Sequence, residues 1–561
     1  MIKGIKASDG IAIGRAFLLK EIKVEIIKDT SLTIEEELKR IEIAKEKGLI
    51  ALDQLRQKTL ETVGESESEV FEAHKQLLTD PVMAKEIKTL IKTQVSSDYA
   101  FSTVIDKYIE LFQNLDNTYM KERALDLKDI KTRLLKILAG VESDEQEVHD
   151  DAIIVTFDLT PSETVNLDRS KTIGFITEIG GETSHSAIIA RTLNIPAVVG
   201  VGSEIQEINQ LDTIILDGIK GEIHINPNEE LITEFKSRKQ ALDEANSLLN
   251  KYKNIESITK DGKNIEIAGN IAGVEDVDAV LDATGDGIGL FRSEFLYMNR
   301  NELPTEEEQF IAYKTVLEKM NPRPVTIRTM DIGGDKNLDY LNLKPEMNPF
   351  LGYRAIRICL KEQDLFKTQL RALIRASSFG KLRIMFPMIA SLEEILEAKE
   401  ILASVKNELL NEEIPVAEGI QVGIMIEVPA AAIMADVLAK EVDFFSIGTN
   451  DLIQYTAAVD RMNNTIAELY SPYHPAFIRL IKQVIDAGHE AGIEVGMCGN
   501  VAGYEEFIPL LLNLGLDELS MSPNMILKAR SIVTTHTITT ADEFMTCKTK
   551  KDVQNLLKAG R

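Results

Sequence analysis

No apolar run in this chain is long enough to cross a membrane. The most apolar stretch, Val422 to Ala439, is interrupted by Glu427, Pro429 and Asp436, whereas a span needs about 20 predominantly apolar residues. The first residues, Met1-Ile2-Lys3-Gly4-Ile5-Lys6, lack the apolar core of a secretion signal. Cysteine is scarce: Cys359, Cys498 and Cys547 are the only three in 561 residues. An odd, scattered set excludes a disulfide framework and implies reduced thiols in a reducing compartment. Positive charge is in deficit, with 63 Lys and Arg against 90 Asp and Glu and a formal net charge of −27. That balance argues against a nucleic-acid or anionic-membrane partner and fits a docking partner of basic character. The expectation is a cytoplasmic protein with no membrane insertion and no nucleic-acid partner.

What is present is the composition of a soluble globular chain, 44% hydrophobic and 27% charged. Its length implies about two to four domains. Residues 1–20 read as short strands around Gly10 and Gly14. From Thr33-Ile34-Glu35-Glu36, a capping box, long amphipathic charged patterns predict a helical bundle over 25–140, with Asp80-Pro81 opening one helix. This block contains no glycine-rich phosphate loop. Phe71, His74 and Leu78 share one helical face, which suits core packing or a docking patch. Strand signals return at Ala152–Phe157, Ile173–Thr177, Ala197–Gly200 and Thr213–Asp217. Residues 1–20 and 145–225 therefore read as one α/β domain into which the helical block is inserted. A connecting helix is expected over 229–257, after Asn226-Pro227-Asn228.

The stretch Gly180-Gly181-Glu182-Thr183-Ser184-His185-Ser186-Ala187-Ile188-Ile189-Ala190-Arg191 joins a strand-like run to a helix-like pattern. Two glycines allow a sharp turn close to a ligand. Thr183 and Ser184 are good N-cap types, which puts His185 in the first helical turn. Free N–H groups and the helix dipole favour an anion there. An imidazole at an anion site can attack phosphorus and carry a phosphoryl group.

Over 258–561 apolar strand-length runs recur with helical stretches between them: Ile265–Ile271, Gly287–Phe291, Val325–Arg328, Leu382–Pro387, Val422–Glu427, Phe444–Gly448, Glu494–Met497 and Glu518–Met521. Eight such units predict a (β/α)8 barrel whose site lies at the C-terminal ends of the strands. The residues that close these runs share one chemistry. They include Arg292 and Glu294, Arg328 and Asp331, Glu427, then Asn450 and Asp451, with Arg461 following, and Cys498. Two carboxylates on neighbouring strand ends suit Mg²⁺. Converging arginines would clamp a phosphate and a carboxylate, and a thiol among them is a candidate proton donor. The expected ligand is small, doubly anionic and metal-bound.

Both halves resemble one family. The stretch around His185 is similar to the phosphohistidine signature of phosphoenolpyruvate-utilising enzymes, and Asp443-Phe444-Phe445-Ser446-Ile447-Gly448-Thr449-Asn450-Asp451-Leu452-Ile453-Gln454 through Arg461 is similar to their second signature. The order of the parts resembles enzyme I of the bacterial sugar phosphotransferase system. This resemblance implies that His185 is phosphorylated by phosphoenolpyruvate and passes the group to the carrier HPr, with release of pyruvate. It implies Thr164 as the residue orienting the His185 ring. It also implies substrate contacts from Arg292, Arg328, Arg354, Asn450, Asp451 and Arg461, Mg²⁺ ligation by Glu427 and Asp451, and Cys498 as the acid that protonates the enolate. The helical insertion matches a docking platform for HPr, and the barrel a homodimerisation domain.

Two positions depart from the family pattern. Glu182 stands where arginine is usual, and Asn500 where an acidic residue is often found. Phosphoenolpyruvate synthase and pyruvate phosphate dikinase share both units but need an ATP-grasp domain, for which this chain has neither length nor a glycine-rich segment ahead of His185. A non-catalytic regulatory homologue is disfavoured because Cys498, Glu427 and Asp451 are all present.

Overall fold

The computed structural model describes all residues except 20–23, 25, 63–64, 114–117, 142–147, 160–170, 182–185, 188–189, 191–194, 299, 301, 335–337, 342, 345, 462, 464 and 560–561. The chain divides into two compact units, Met1–Ala245 and Asn246–Arg561.

The first unit contains an eight-stranded sheet in the order β1-β8-β7-β3-β4-β5-β6-β2. Its strands are β1 (Ile2–Lys3), β2 (Ile5–Ser8), β3 (Ile11–Leu18), β4 (Ala152–Thr156), β5 (Thr172–Thr177), β6 (Ala197–Val199), β7 (Thr213–Asp217) and β8 (Glu222–Ile225). The run β3-β4-β5-β6 is parallel, and the flanking pairs are antiparallel. Buried β4 reads as a continuous apolar stretch because both of its faces are covered. β8 was not expected from the sequence. Its Glu-Ile-His-Ile alternation is short, and antiparallel pairing with β7 rather than apolar content makes it a strand.

Among the described residues, five helices lie between β3 and β4: α1 (Ile34–Thr62), α2 (Glu65–Leu78), α3 (Pro81–Ile91), α4 (Ser97–Gln113) and α5 (Thr118–Ala139). The expected capping box opens α1, with Thr33 N–H donating to Glu36 and Glu36 N–H to the Thr33 hydroxyl. Asp80 caps α3 through the N–H groups of Val82 and Met83, both at 2.8 Å. Phe71 and His74 are fully buried, and His74 Nε2 lies 3.1 Å from Asp126 Oδ1. That face is core. α6 (Glu229–Leu249) starts at Asn228, whose side chain accepts from Leu231 N–H. It docks by burying Phe235 against Ile11 and Ile215, and Arg238 pairs with Asp217 at 2.9 Å. The helix is shorter than expected. A 3-10 turn at Asn250–Tyr252 follows it, and Asn254, at φ +63°, turns the chain out of helical geometry.

The second unit is built on a closed parallel barrel, β9 (Glu266–Ile271), β10 (Ile288–Arg292), β11 (Pro324–Arg328), β12 (Lys381–Phe386), β13 (Gln421–Ile426), β14 (Phe444–Ile447), β15 (Glu494–Met497) and β16 (Glu518–Met521). Its outer strand faces and the surrounding helices share one continuous apolar core.

At the N-terminal end of the barrel, Glu518 and Glu266 stand side by side in register on β16 and β9. Arg383 reaches both, at 3.5 and 3.7 Å, and also Glu494 at 3.0 Å. One guanidinium serves three carboxylates. Burial raises the pKa of both Glu518 and Glu266 against the opposing Arg383, with repulsion from Glu266 adding at Glu518 and from Glu494 at Glu266. The folded state thus holds protons that the unfolded chain releases. Stability from this pair is present at low pH and declines as pH rises above the ordinary carboxylate range. Glu518→Gln should raise the barrel's Tm by about 2–4 °C at about pH 8.5, with the gain shrinking towards about pH 5. Calorimetric scans of parent and variant at the two pH values check this.

Candidate active site

The C-terminal ends of the barrel strands gather the barrel residues expected from the sequence. Arg292 closes β10 and Arg328 closes β11. Glu427 directly follows β13. Asn450 and Asp451 lie in the first turn of α7 (Thr449–Ala457), just past β14, and Cys498 directly follows β15. Arg354 and Arg461 come from loops. The Arg354 loop closes onto Gly333-Gly334, where a Cβ at Gly333 would meet the Arg354 Cβ at 2.5 Å and φ is +104°. Only glycine fits there.

These side chains form a chain of alternating charge. Arg328 binds Glu294 through Nη2, and its Nη1 lies 2.9 Å from Asp331 Oδ2. Arg354 Nη2 lies 2.8 Å from Asp331 Oδ1 and 3.3 Å from Asp451 Oδ2. Arg461 Nη1 ends the chain 3.4 Å from Asp451 Oδ1. Burial opposes the charge on Arg328 and Arg354, but the neighbouring carboxylates more than compensate and hold both guanidinium pKa values above the ordinary range. Tyr455 donates to the Phe350 carbonyl and accepts from Arg354 Nη1, which braces the loop. Arg292 differs. Burial and the adjacent Arg328 lower its pKa, and among the described residues it forms no ion pair. It is the cation an incoming anion would satisfy.

Glu427 is buried, and its Oε1 accepts the Met388 N–H at 2.6 Å. Burial, then the charges of Asp451 and Asp331, push its carboxyl up to about 8. A buried carboxyl whose ionisation is opposed by a neighbouring carboxylate is what a divalent cation would relieve, so Glu427, with Asp451 beside it, fits a metal. Among the described residues no third His, Cys, Asp or Glu completes a cage. That suits an ion completed by substrate oxygens and water. Two non-glycine residues with φ in the left-handed region border this point, Met388 at +57° and Ala355, next to Arg354, at +52°. Backbone strain of this kind clusters at functional sites.

Cys498 is buried beside Leu290, Met385, Met425 and Phe444. Burial pushes its thiol up to about 11, against the Ser446 hydroxyl and the Arg328 guanidinium, which favour the thiolate. The sulfur therefore carries its proton at neutral pH. The following turn is packed tightly: a Cβ on Gly499 would fall 1.8 Å from Thr449 Oγ1, and Asn500 N–H donates to Asn450 Oδ1 at 3.3 Å.

His185, Thr164 and Glu182 lie outside the described residues. Next to them, the buried Ser186 donates its hydroxyl to Asp158 Oδ1 at 2.7 Å, and Leu159 N–H donates to the same oxygen at 2.8 Å. Sequence reasoning left Glu294 and Asp331 without a role, although both lie within three residues of an arginine it did select. It passed over Asn270, Tyr455 and Asp158, and gave Ser446 no role beyond its place in the signature. The only signal for Asn270 was its place at a strand end.

Three family models cover most of the chain: the PEP-utilising enzyme N-terminal region over residues 3–123, the mobile domain over 148–221 and the PEP-binding domain over 246–538. The phosphoenolpyruvate-protein phosphotransferase of Geobacillus stearothermophilus is 51% identical over 532 residues, 94% of this chain and 92% of the relative. That of Priestia megaterium is 49% identical over 94% of this chain and 93% of its own length. That of Listeria monocytogenes is 46% identical over 99% of this chain and 98% of its own length. With an eight-stranded barrel carrying arginines, paired carboxylates and a protonated thiol at one end, and with identity of this extent, the chain belongs to the phosphoenolpyruvate-protein phosphotransferase family of transferases.

Proposed function

We propose that this protein moves the phosphoryl group of phosphoenolpyruvate to His185 and then to a histidine of the carrier HPr, releasing pyruvate, as the first step of sugar uptake by the phosphotransferase system. The observation that carries this reading is the convergence of Arg292, Arg328, Arg354, Arg461, Glu427, Asp451 and Cys498 at one barrel mouth.

Phosphoryl transfer through a loose, in-line transition state is catalysed mainly by positioning and charge neutralisation. Arg292, with no carboxylate partner among the described residues, and Arg328 bind the anionic groups of the substrate. Arg354, Arg461 and Asn450 hold its remaining oxygens. Asp331 and Glu294 fix the arginine forks, so no reorganisation accompanies the reaction. Mg²⁺, held by Glu427 and Asp451, would neutralise charge on the transferring group. Loss of that group leaves enolpyruvate. Cys498, which carries its proton at neutral pH, delivers it to the methylene carbon to give pyruvate.

The remaining assignments belong to the same reading. Residues 1–20 and 145–225 form the phosphohistidine domain, with Thr164 orienting the His185 ring. The helices within 25–140 dock HPr, 229–257 link the halves, and 258–561 form the catalytic and homodimerisation domain. The protein works in the cytoplasm, and among the described residues no helix is long and apolar enough to cross a membrane.

Three outcomes are expected. His185→Ala abolishes the acid-labile phosphoprotein seen by intact mass after incubation with phosphoenolpyruvate and Mg²⁺, while the melting transitions stay unchanged. Glu427→Ala lowers kcat/KM for phosphoenolpyruvate by on the order of 10³-fold, because it deletes a metal ligand that stabilises transition-state charge; steady-state kinetics across a Mg²⁺ titration read this. The isolated segment 1–230 accepts a phosphoryl group from phosphorylated HPr but none from phosphoenolpyruvate, since the barrel-mouth residues lie outside it. Mass spectrometry of the segment with each donor distinguishes the two.

A further inference from the structure

Cys498 can protonate only one face of an enolate if its sulfur is held still. Its backbone is gripped from two sides. On the β14 side its N–H donates to the Ile447 carbonyl at 3.2 Å. On the β9 side its own carbonyl accepts from Asn270 Nδ2 at 3.1 Å. Asn270 sits one residue before the end of β9, at the mouth, and is itself fixed from β16. The Ser520 hydroxyl, fully buried, donates to Asn270 Oδ1 at 2.6 Å, and Asn270 Nδ2 also reaches the Ser520 carbonyl at 3.4 Å. With both ends of the amide engaged, its rotamer and its orientation are set. Ser520 packs closely against Gly289, where an added Cβ would lie 2.4 Å from its hydroxyl oxygen. The three strand ends are thus joined in the order β16, β9, β15, and the last link is the peptide that carries the thiol.

We propose that Asn270, oriented by Ser520, is a positioning residue that aims the Cys498 thiol at the methylene carbon of enolpyruvate. The proposal rests on Cys498 being the acid. In the step itself the S–H bond breaks and a C3–H bond forms from the C2–C3 π electrons of the enolate. C2 becomes a carbonyl carbon, and the thiolate left behind takes a proton from water. Loss of the Asn270 tether frees the Cys498-Gly499 peptide on its β9 side without touching Arg292, Arg328, Glu427 or Asp451. The phosphoryl half-reaction should then survive while protonation loses rate and facial selectivity. A misplacement of about 1 Å is enough to cost about 10²-fold.

The experiment uses stereospecifically C3-deuterated phosphoenolpyruvate in tritiated water, with pyruvate trapped as lactate and its methyl chirality determined. Phosphoprotein formation is followed in parallel by rapid-quench mass measurement. Parent protein should give a chiral methyl group. Asn270→Ala and Asn270→Asp, the latter keeping shape but removing the N–H donor, should give largely racemic methyl groups. Both should show a kcat for pyruvate about 10- to 100-fold lower, a KM for phosphoenolpyruvate near parent, and an unchanged phosphorylation rate. Ser520→Ala should show the same pattern in weaker form. Retained chirality and kcat in both Asn270 variants would overturn the proposal, as would phosphorylation and pyruvate formation falling together, which marks a merely structural tie. Cys498→Ala, run alongside, separates the two levels: if it keeps the methyl group chiral, the acid assignment itself fails.

Discussion

Everything at the barrel mouth depends on keeping four arginines close together in a buried place. Guanidinium groups crowded out of water would repel one another, and the cost is met by interleaving carboxylates: Arg328, Asp331, Arg354, Asp451 and Arg461 alternate in sign, with Glu294 on the outer side of Arg328. Buried pairs of this kind stabilise only when every member is present, since removing one leaves an uncompensated buried charge. The chain is therefore a single electrostatic object. It also explains the two exceptions. Arg292 carries a cation in excess of the pattern, and Glu427 an anion pushed towards its neutral form. Both are the positions at which an anionic substrate and a divalent cation would complete the alternation.

The barrel is the reason such a chain can be assembled. Parallel strands ending at one rim deliver Arg292, Arg328, Glu427 and Cys498 to a common plane, while loops and a helix start supply Arg354, Arg461, Asn450 and Asp451. Local backbone is adjusted to suit: glycines 333 and 334 make room for the Arg354 loop, and Met388 accepts an unfavourable φ that lets its N–H meet Glu427. Rigid strands provide the frame, and strained loops provide the aim.

The fold class was legible because its signals are local and repeated. Strand-length apolar runs such as Val422–Glu427 announce the barrel at regular intervals, and cap chemistry at Thr33 and Asp80 marks helix starts. The strand at Glu222–Ile225 was not legible, because its pairing with Thr213–Asp217 rather than its composition makes it a strand. The end of α6 was hidden for a similar reason: helix-favouring residues continue past Leu249, but the chain turns at Asn254. At the mouth, residue types at strand ends identified the arginines, the carboxylates and the thiol as candidates. Who pairs with whom was not readable. Arg354 meets Asp451 across 97 positions of sequence, and Asn270 meets Cys498 across 228. No spacing rule encodes a contact made by closure of a barrel. The identity of Glu294 and Asp331 as braces follows from that same long-range geometry.

The opposite ends of the barrel treat charge in opposite ways. At the mouth, cations and anions are matched in an alternating chain; at the base, Glu266, Glu494 and Glu518 share one arginine. With those carboxylates ionised, the base carries a local excess of negative charge over its one arginine. The contrast between the two ends deepens as protons leave Glu266 and Glu518 at the base.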